Sequence, residues 1–97
     1  MRVVWDESKN RTNRKKHGVS FEEASVLFTC GDDYLEIFDQ AHSGEEDRFI
    51  AIGPIDRGLV LVIHTECDEE TVRLISARWA NKRETELYRT HVRGRAP

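Results

Sequence analysis

His64, Glu66 and the cations Arg73, Arg78, Lys82 and Arg83 fall within 20 residues of chain, from 64 to 83. That set suits scission of RNA by side chains alone. A base must take the 2′-hydroxyl proton, cations must offset the charge that builds on the phosphorane, and an acid must return a proton to the 5′-oxygen. Arginine offers paired donors in one plane and stays charged, which is the geometry for gripping a phosphate. Electrostatic stabilisation of this kind contributes orders of magnitude in rate, so the arginines can count for more than any single base. No metal or cofactor is expected. The histidines 17, 42, 64 and 91 and the cysteines 30 and 67 show no metal-ligand spacing. There is neither a glycine-rich phosphate loop nor a G-x-S-x-G turn.

Each of these residues also has a purely structural reading. A histidine at the end of an apolar strand can be a hydrogen-bonded structural residue, and Glu66 can pair with Arg73 across two strands. Arg78 can serve as a salt bridge at a helix entry. Trp5 and Trp79 read as core or partner anchors before they read as base-stacking platforms. Lys9, Arg11, Arg14, Lys15 and Lys16 read most cheaply as one solvated helix face.

The elements that must position this set can be read in order. Arg2–Trp5 is short, β-branched and aromatic, hence a first strand. Asp6 and Gly18 bracket Glu7–His17 as N-cap and C-cap, yet that helix holds no apolar residue. It must be marginal, or lie on the body through its aliphatic lysine and arginine stems. Ser20 and Glu23 form a capping box for a helix presenting Phe21, Ala24, Leu27 and Phe28, ended by Gly31-Asp32-Asp33. Strands follow at Tyr34–Asp39, Arg48–Ile52, Leu59–Thr65 and Thr71–Ala77, joined by the polar loop 42–47 and the turns 54–58 and 68–70. Leu59–Thr65 is apolar on both faces and reads as the central strand. Alternation puts Val60, Val62, His64 and Glu66 on one face. In the next strand it separates Arg73, Ile75 and Ala77 from Val72, Leu74, Ser76 and Arg78. A last helix is expected from Trp79 to His91, with a frayed tail at Arg93–Pro97. The order β-α-α-β-β-β-β-α implies an α+β fold, a mostly antiparallel sheet with helices packed on one side.

The 97 residues make one domain, 1–97, and no more. No run of 18 apolar residues can span a bilayer, so no membrane partner is expected. The N-terminus turns polar after five residues and the two cysteines stand far apart, which points to reduced thiols in the cytoplasm. The net charge of −3 hides a segregation. Residues 1–17 carry six Lys/Arg against two acids and residues 71–97 seven against two, while residues 18–70 carry two against fourteen. If the chain ends meet, they make a basic face for a polyanion or an acidic partner on an acidic body. Two functions therefore compete: a nuclease, and a non-catalytic module whose basic face only binds nucleic acid or a partner.

The chain resembles the BrnT toxins of bacterial type II toxin–antitoxin systems. The likeness is carried by Trp5-Asp6, by Lys16-His17-Gly18-Val19-Ser20-Phe21-Glu22-Glu23-Ala24 and by Arg48-Phe49-Ile50-Ala51-Ile52-Gly53. It continues through His64-Thr65-Glu66, Arg73-Leu74-Ile75-Ser76-Ala77-Arg78-x-Ala80, Glu84 and Tyr88. The resemblance implies a RelE-like ribonuclease fold and metal-independent RNA cleavage that slows translation and growth. It also implies inhibition by a BrnA-type antitoxin, with operator DNA bound only through that antitoxin. Carried onto this chain, it implicates Arg73, Arg78, Lys82 and Arg83, with His64 and Glu66 beside them. Position 79 is Trp79 where relatives commonly have a second basic residue, and position 82 is Lys82 rather than arginine.

Overall fold

The computed structural model describes residues 1–30, 33–42, 44 and 46–94. A five-stranded sheet runs in the order β1-β5-β4-β3-β2, with β1 Arg2–Val4, β2 Leu35–Phe38, β3 Phe49–Ile55, β4 Gly58–Asp68 and β5 Thr71–Trp79. The helices are α1 Glu7–His17, α2 Phe21–Thr29 and α3 Lys82–Arg93, and a 3-10 turn spans Gln40–His42. The expected α+β order holds. All pairings are antiparallel except β1 with β5, which run parallel. That pairing joins the two basic ends of the chain at one edge of the sheet and leaves the acidic middle at the other.

Several boundaries differ from the sequence reading: β3 runs on to Ile55 and β4 to Asp68. The last strand runs on through Trp79, and Asn81 caps α3 with Glu84 in a reciprocal capping box. An N-x-x-E signature was there to be read, but asparagine in the first position hid it behind the commoner Ser/Thr form. The second strand of the hairpin begins at Gly58, so that only Asp56 and Arg57 turn between Ile55 and its partner Gly58. Gly31 and Asp32, Ser43 and Glu45 in the polar loop, and the tail beyond Gly94 lie outside the described residues.

One irregularity reorganises β5. Ile63 pairs with Ser76 but His64 with Leu74, which leaves Ile75 as a bulge. Strict alternation fails there. Cross-strand partners share a face, so Val72, Leu74, Ala77 and Trp79 lie with Val60, Val62, His64 and Glu66. On that face the core forms against α2, where Val60, Val62, Val72, Leu74 and Ala77 pack with Phe21, Ala24, Leu27 and Phe28. Close approach is enforced at Gly53, where a Cβ would stand 2.5 Å from Leu27 Cδ1 and 2.8 Å from Tyr34 Cβ. The opposite face carries Leu61, Ile63, Thr65, Arg73, Ser76 and Arg78. It is covered by α3, which lies against β3 and is tied to Arg78 through Glu84. The helices thus occupy both sides of the sheet, not one.

The apolar-free α1 is held by neither expected means. Its only buried residues are Asn10 and Asn13. The Asn13 amide donates to the carbonyls of Val19 (3.0 Å) and Ala77 (2.8 Å) and accepts from the Ala77 N–H (3.0 Å). Because β1 covers only Thr71–Arg73, the outer edge of β5 is bare at Ala77, and this amide completes it. Asn10 accepts from the Phe21 N–H (2.8 Å) and donates to Glu7 (3.1 Å) and Glu22 (2.7 Å), joining α1 to α2. Gly18 ends α1 at φ 73°, a left-handed cap suited to glycine.

Candidate active site

The six residues singled out from the sequence fall into two groups at opposite ends of β5. The Ile75 bulge puts Arg73 and Arg78 on the same face, contrary to simple alternation, while His64 and Glu66 stand on the other. Five steps along the strand separate the two arginines, roughly 16 Å at about 3.3 Å per residue.

At the far end of β5, Arg78 makes a bidentate pair with Glu84, at 2.8 and 2.7 Å, and donates to the Trp79 carbonyl at 3.2 Å. The pair is half sheltered, with side chains 37% and 16% exposed. Glu84 also accepts from the Asn81 N–H at 2.9 Å, so one carboxylate closes both the capping box and the arginine fork. The Arg78 guanidinium, and secondarily the Asn81 N–H and the Arg78 and Arg83 charges, hold the Glu84 carboxyl below the usual carboxylate range. Lys82 and Arg83 are exposed in the same first turn of α3. The result is a carboxylate bonded to Arg78 and felt by Arg83, with Lys82 exposed in the same helical turn, a concentration of cations at a helix N-terminus suited to a phosphate.

The other end is different in kind. Arg73 is exposed and bonds Glu46, not Glu66, whose cross-strand neighbour is Val72. His64 is 1% exposed, stacked on Phe49 at 5.8 Å and edge-on to Phe28 at 4.8 Å. Burial pushes its imidazole down to about 4, so the ring is neutral at neutral pH. Its Nε2 lies 3.6 Å from Glu36 Oε1, beyond hydrogen-bond length, and neither ring nitrogen has a partner among the described residues. We read this contact as a neutral ring beside a carboxylate rather than an ion pair. Burial, with the Glu66 charge beside it, raises the Glu36 carboxyl. Burial and these same two charges raise the Tyr34 hydroxyl. Glu66 therefore sits in an acidic corner, where a phosphate meets like charge.

The aromatic anchors are spoken for. Trp5 packs edge-on to Phe21 at 6.2 Å and donates to Glu7, and Arg57 lies over the Trp79 ring at 5.1 Å. Among the described residues no three His, Cys, Asp or Glu side chains group to hold a metal ion. No helix among them is long and apolar enough to cross a membrane.

Residues 5–84 match the family model of the ribonuclease toxin BrnT of type II toxin–antitoxin systems. The chain belongs to the BrnT family. The 1.1 Å crystal structure of the Brucella abortus ribonuclease toxin BrnT superposes with a TM-score of 0.65 at 28% identity, covering 84% of this chain and 99% of that one. No curated protein matches significantly by sequence. The BrnT match runs from Trp5 to Glu84 and so takes in the whole β5–α3 junction while leaving out the rest of α3. Within this BrnT chain, the carboxylate that Arg78 grips is Glu84, which the sequence reading named only among the residues that carry the family resemblance. The Asn81-to-Glu84 spacing, three residues past Arg78, was the available signal.

Proposed function

We propose that this chain is an endoribonuclease that cleaves RNA without a metal ion, in the cytoplasm, and is neutralised by a BrnA-type antitoxin that carries the operator-binding function. Family membership supports the reaction class. The arrangement that carries the site is the Arg78–Glu84 fork flanked by exposed Lys82 and Arg83.

In this reading the scissile phosphate enters between Lys82, Arg83 and Arg78 and takes over the Arg78 fork, whose donors match phosphate as well as carboxylate. Glu84 then loses the partner that holds its carboxyl low, becomes more basic, and accepts the 2′-hydroxyl proton. The 2′-oxygen bonds to phosphorus, the bond to the 5′-oxygen breaks, and a 2′,3′-cyclic phosphate forms. Lys82 supplies the leaving oxygen's proton, since an ammonium can release one and a guanidinium cannot. Arg73 serves a phosphate further along the strand. His64 and Glu66 take structural parts: His64 is sealed beneath Phe28 and Phe49, and Glu66 faces away from the cations.

Purified protein is expected to cut RNA in EDTA and leave cyclic phosphate ends; a requirement for divalent metal overturns the mechanism. Glu84→Gln and Arg78→Lys are each expected to lower the rate about 10²–10³-fold, and Glu66→Gln less than about threefold. The reverse ranking moves the base to Glu66. One observation favours a second reading, a binding module without catalysis: the Arg78 donors are already occupied by Glu84. Wild-type protein that binds RNA but leaves it intact decides for it.

A further inference from the structure

The cations of this molecule divide by how they are used. Arg57, Arg73, Arg78 and Arg89 are each bound to a glutamate. Lys9, Arg11, Arg14, Lys15 and Lys16 on α1 are all exposed, and among the described residues none of their side chains makes an ion pair or hydrogen bond. Their stems are not needed to hold the helix, because Asn10 and Asn13 do that from the buried side. Five charges thus stand unpaired on a fixed helix of a chain whose net charge is −3.

We propose that α1 is a second, non-catalytic RNA-binding site, a ridge that takes the phosphodiester backbone of a strand whose scissile phosphate lies at the β5–α3 junction. The inference rests on the ribonuclease reading and adds a surface to it. Two features favour RNA over a protein occupant. A protein interface needs an apolar or aromatic centre, and α1 contains no such residue; a polyanion needs only cations that release its counterions. The helix that carries the ridge also adjoins the strand leading into the junction: Asn13, on its buried side, bonds the backbone of Ala77, and the next residue is Arg78. The strand β5 lies between the two.

The test uses the full chain and a fluorescent 20-nucleotide 2′-O-methyl RNA, which cannot be cut because its 2′-oxygens are blocked. Anisotropy titrations from low to high salt are run on wild type, Arg11→Gln/Lys15→Gln and Arg89→Gln/Arg93→Gln, the last removing equal charge from α3. The α1 double variant is expected to bind about tenfold more weakly, with the salt slope shallower by about 1.4, at roughly 0.7 per lost phosphate contact on a single strand. The α3 double variant is expected to lose less than half as much. Arg11→Lys, which keeps the charge, is expected to retain wild-type binding and shows whether a loss is electrostatic. Equal losses in both double variants, or none in the α1 variant, overturn the proposal. So does an α1 variant that binds RNA normally but escapes its antitoxin, since that makes α1 a protein surface. Failure of the ribonuclease reading shows separately, as uncut RNA in the cleavage assay with probe binding intact.

Discussion

The helices α1 and α3 are alike in their charge content and opposite in attachment. Both are dominated by charge, and neither buries an apolar side chain. α1 is fixed near its middle by two sealed amides, one completing a sheet edge and the other joining a second helix. α3 is fastened at its first turn, by the Asn81–Glu84 box and the Arg78 fork, and leaves Leu87 and Val92 exposed further along. The difference separates two tasks. A helix pinned through buried amides can offer every cation to a ligand, whereas one pinned through an ion pair places the pinning charges themselves in reach of a substrate. The buried hydrogen bonds should therefore dominate stability, and the half-exposed ion pair should matter more for chemistry than for folding.

Asn13→Ala is the severest way to break that contrast. It strands the Ala77 N–H and C=O and the Val19 carbonyl, and about 3–4 kcal/mol of stability should go, read from denaturant midpoints. Asn13→Asp should not rescue it, because a carboxylate cannot donate to two carbonyls. The next effect belongs to the core beneath the acidic corner. His64 is neutral when folded down to about pH 4 and protonates near 6.5 when unfolded. The unfolded state therefore binds the extra proton in that window, and stability falls as pH drops from 6.5 toward 4, by about 3 kcal/mol. His64→Leu should flatten this slope in midpoints taken at pH 7 and 4.5, although the neighbouring Glu36, with its raised pKa, acts in the opposite sense. An unchanged slope would place the acid sensitivity elsewhere. Gly53→Ala forces Leu27 and the Tyr34 Cβ apart and should cost about 1–3 kcal/mol.

Smaller effects are expected at α3. A double-mutant cycle between Arg78→Ala and Glu84→Gln should give a coupling of about 1 kcal/mol, discounted for exposure. The low pKa of Glu84 makes that contribution present above the unfolded carboxylate range near 4.5, and it is lost as pH falls below it. Arg89 with Glu86, both open to solvent, should couple by less than about 0.5 kcal/mol. A coupling at Arg78–Glu84 no larger than this would remove the distinction between a sheltered fork and an ordinary surface pair.

Much of the frame was legible because it is local. Asp6, Gly18, Ser20 and Glu23 mark the ends of α1 and α2 through bonds a few residues long, and the unbroken apolar run from Leu59 names the middle strand. The candidate site was legible in composition but not in arrangement. A single bulged residue, Ile75, reverses the parity of β5 and moves Arg73 to the face of Arg78 and away from Glu66. No pattern in Thr71–Trp79 announces that, since a bulge is set by the pairing of two strands. The two asparagines were invisible for a related reason: an amide reads as surface until a bare strand edge lies opposite it.

The sequence by itself determined the element order, the caps, the family and the segregation of charge, all of which rest on neighbours along the chain. Tertiary structure alone decided which cations stay free, which carboxylate Arg78 grips and which histidine is sealed from water. Those outcomes depend on long-range pairing and on burial, which sets the energy of a charge or a hydrogen bond only once the sheet and helices have closed around it.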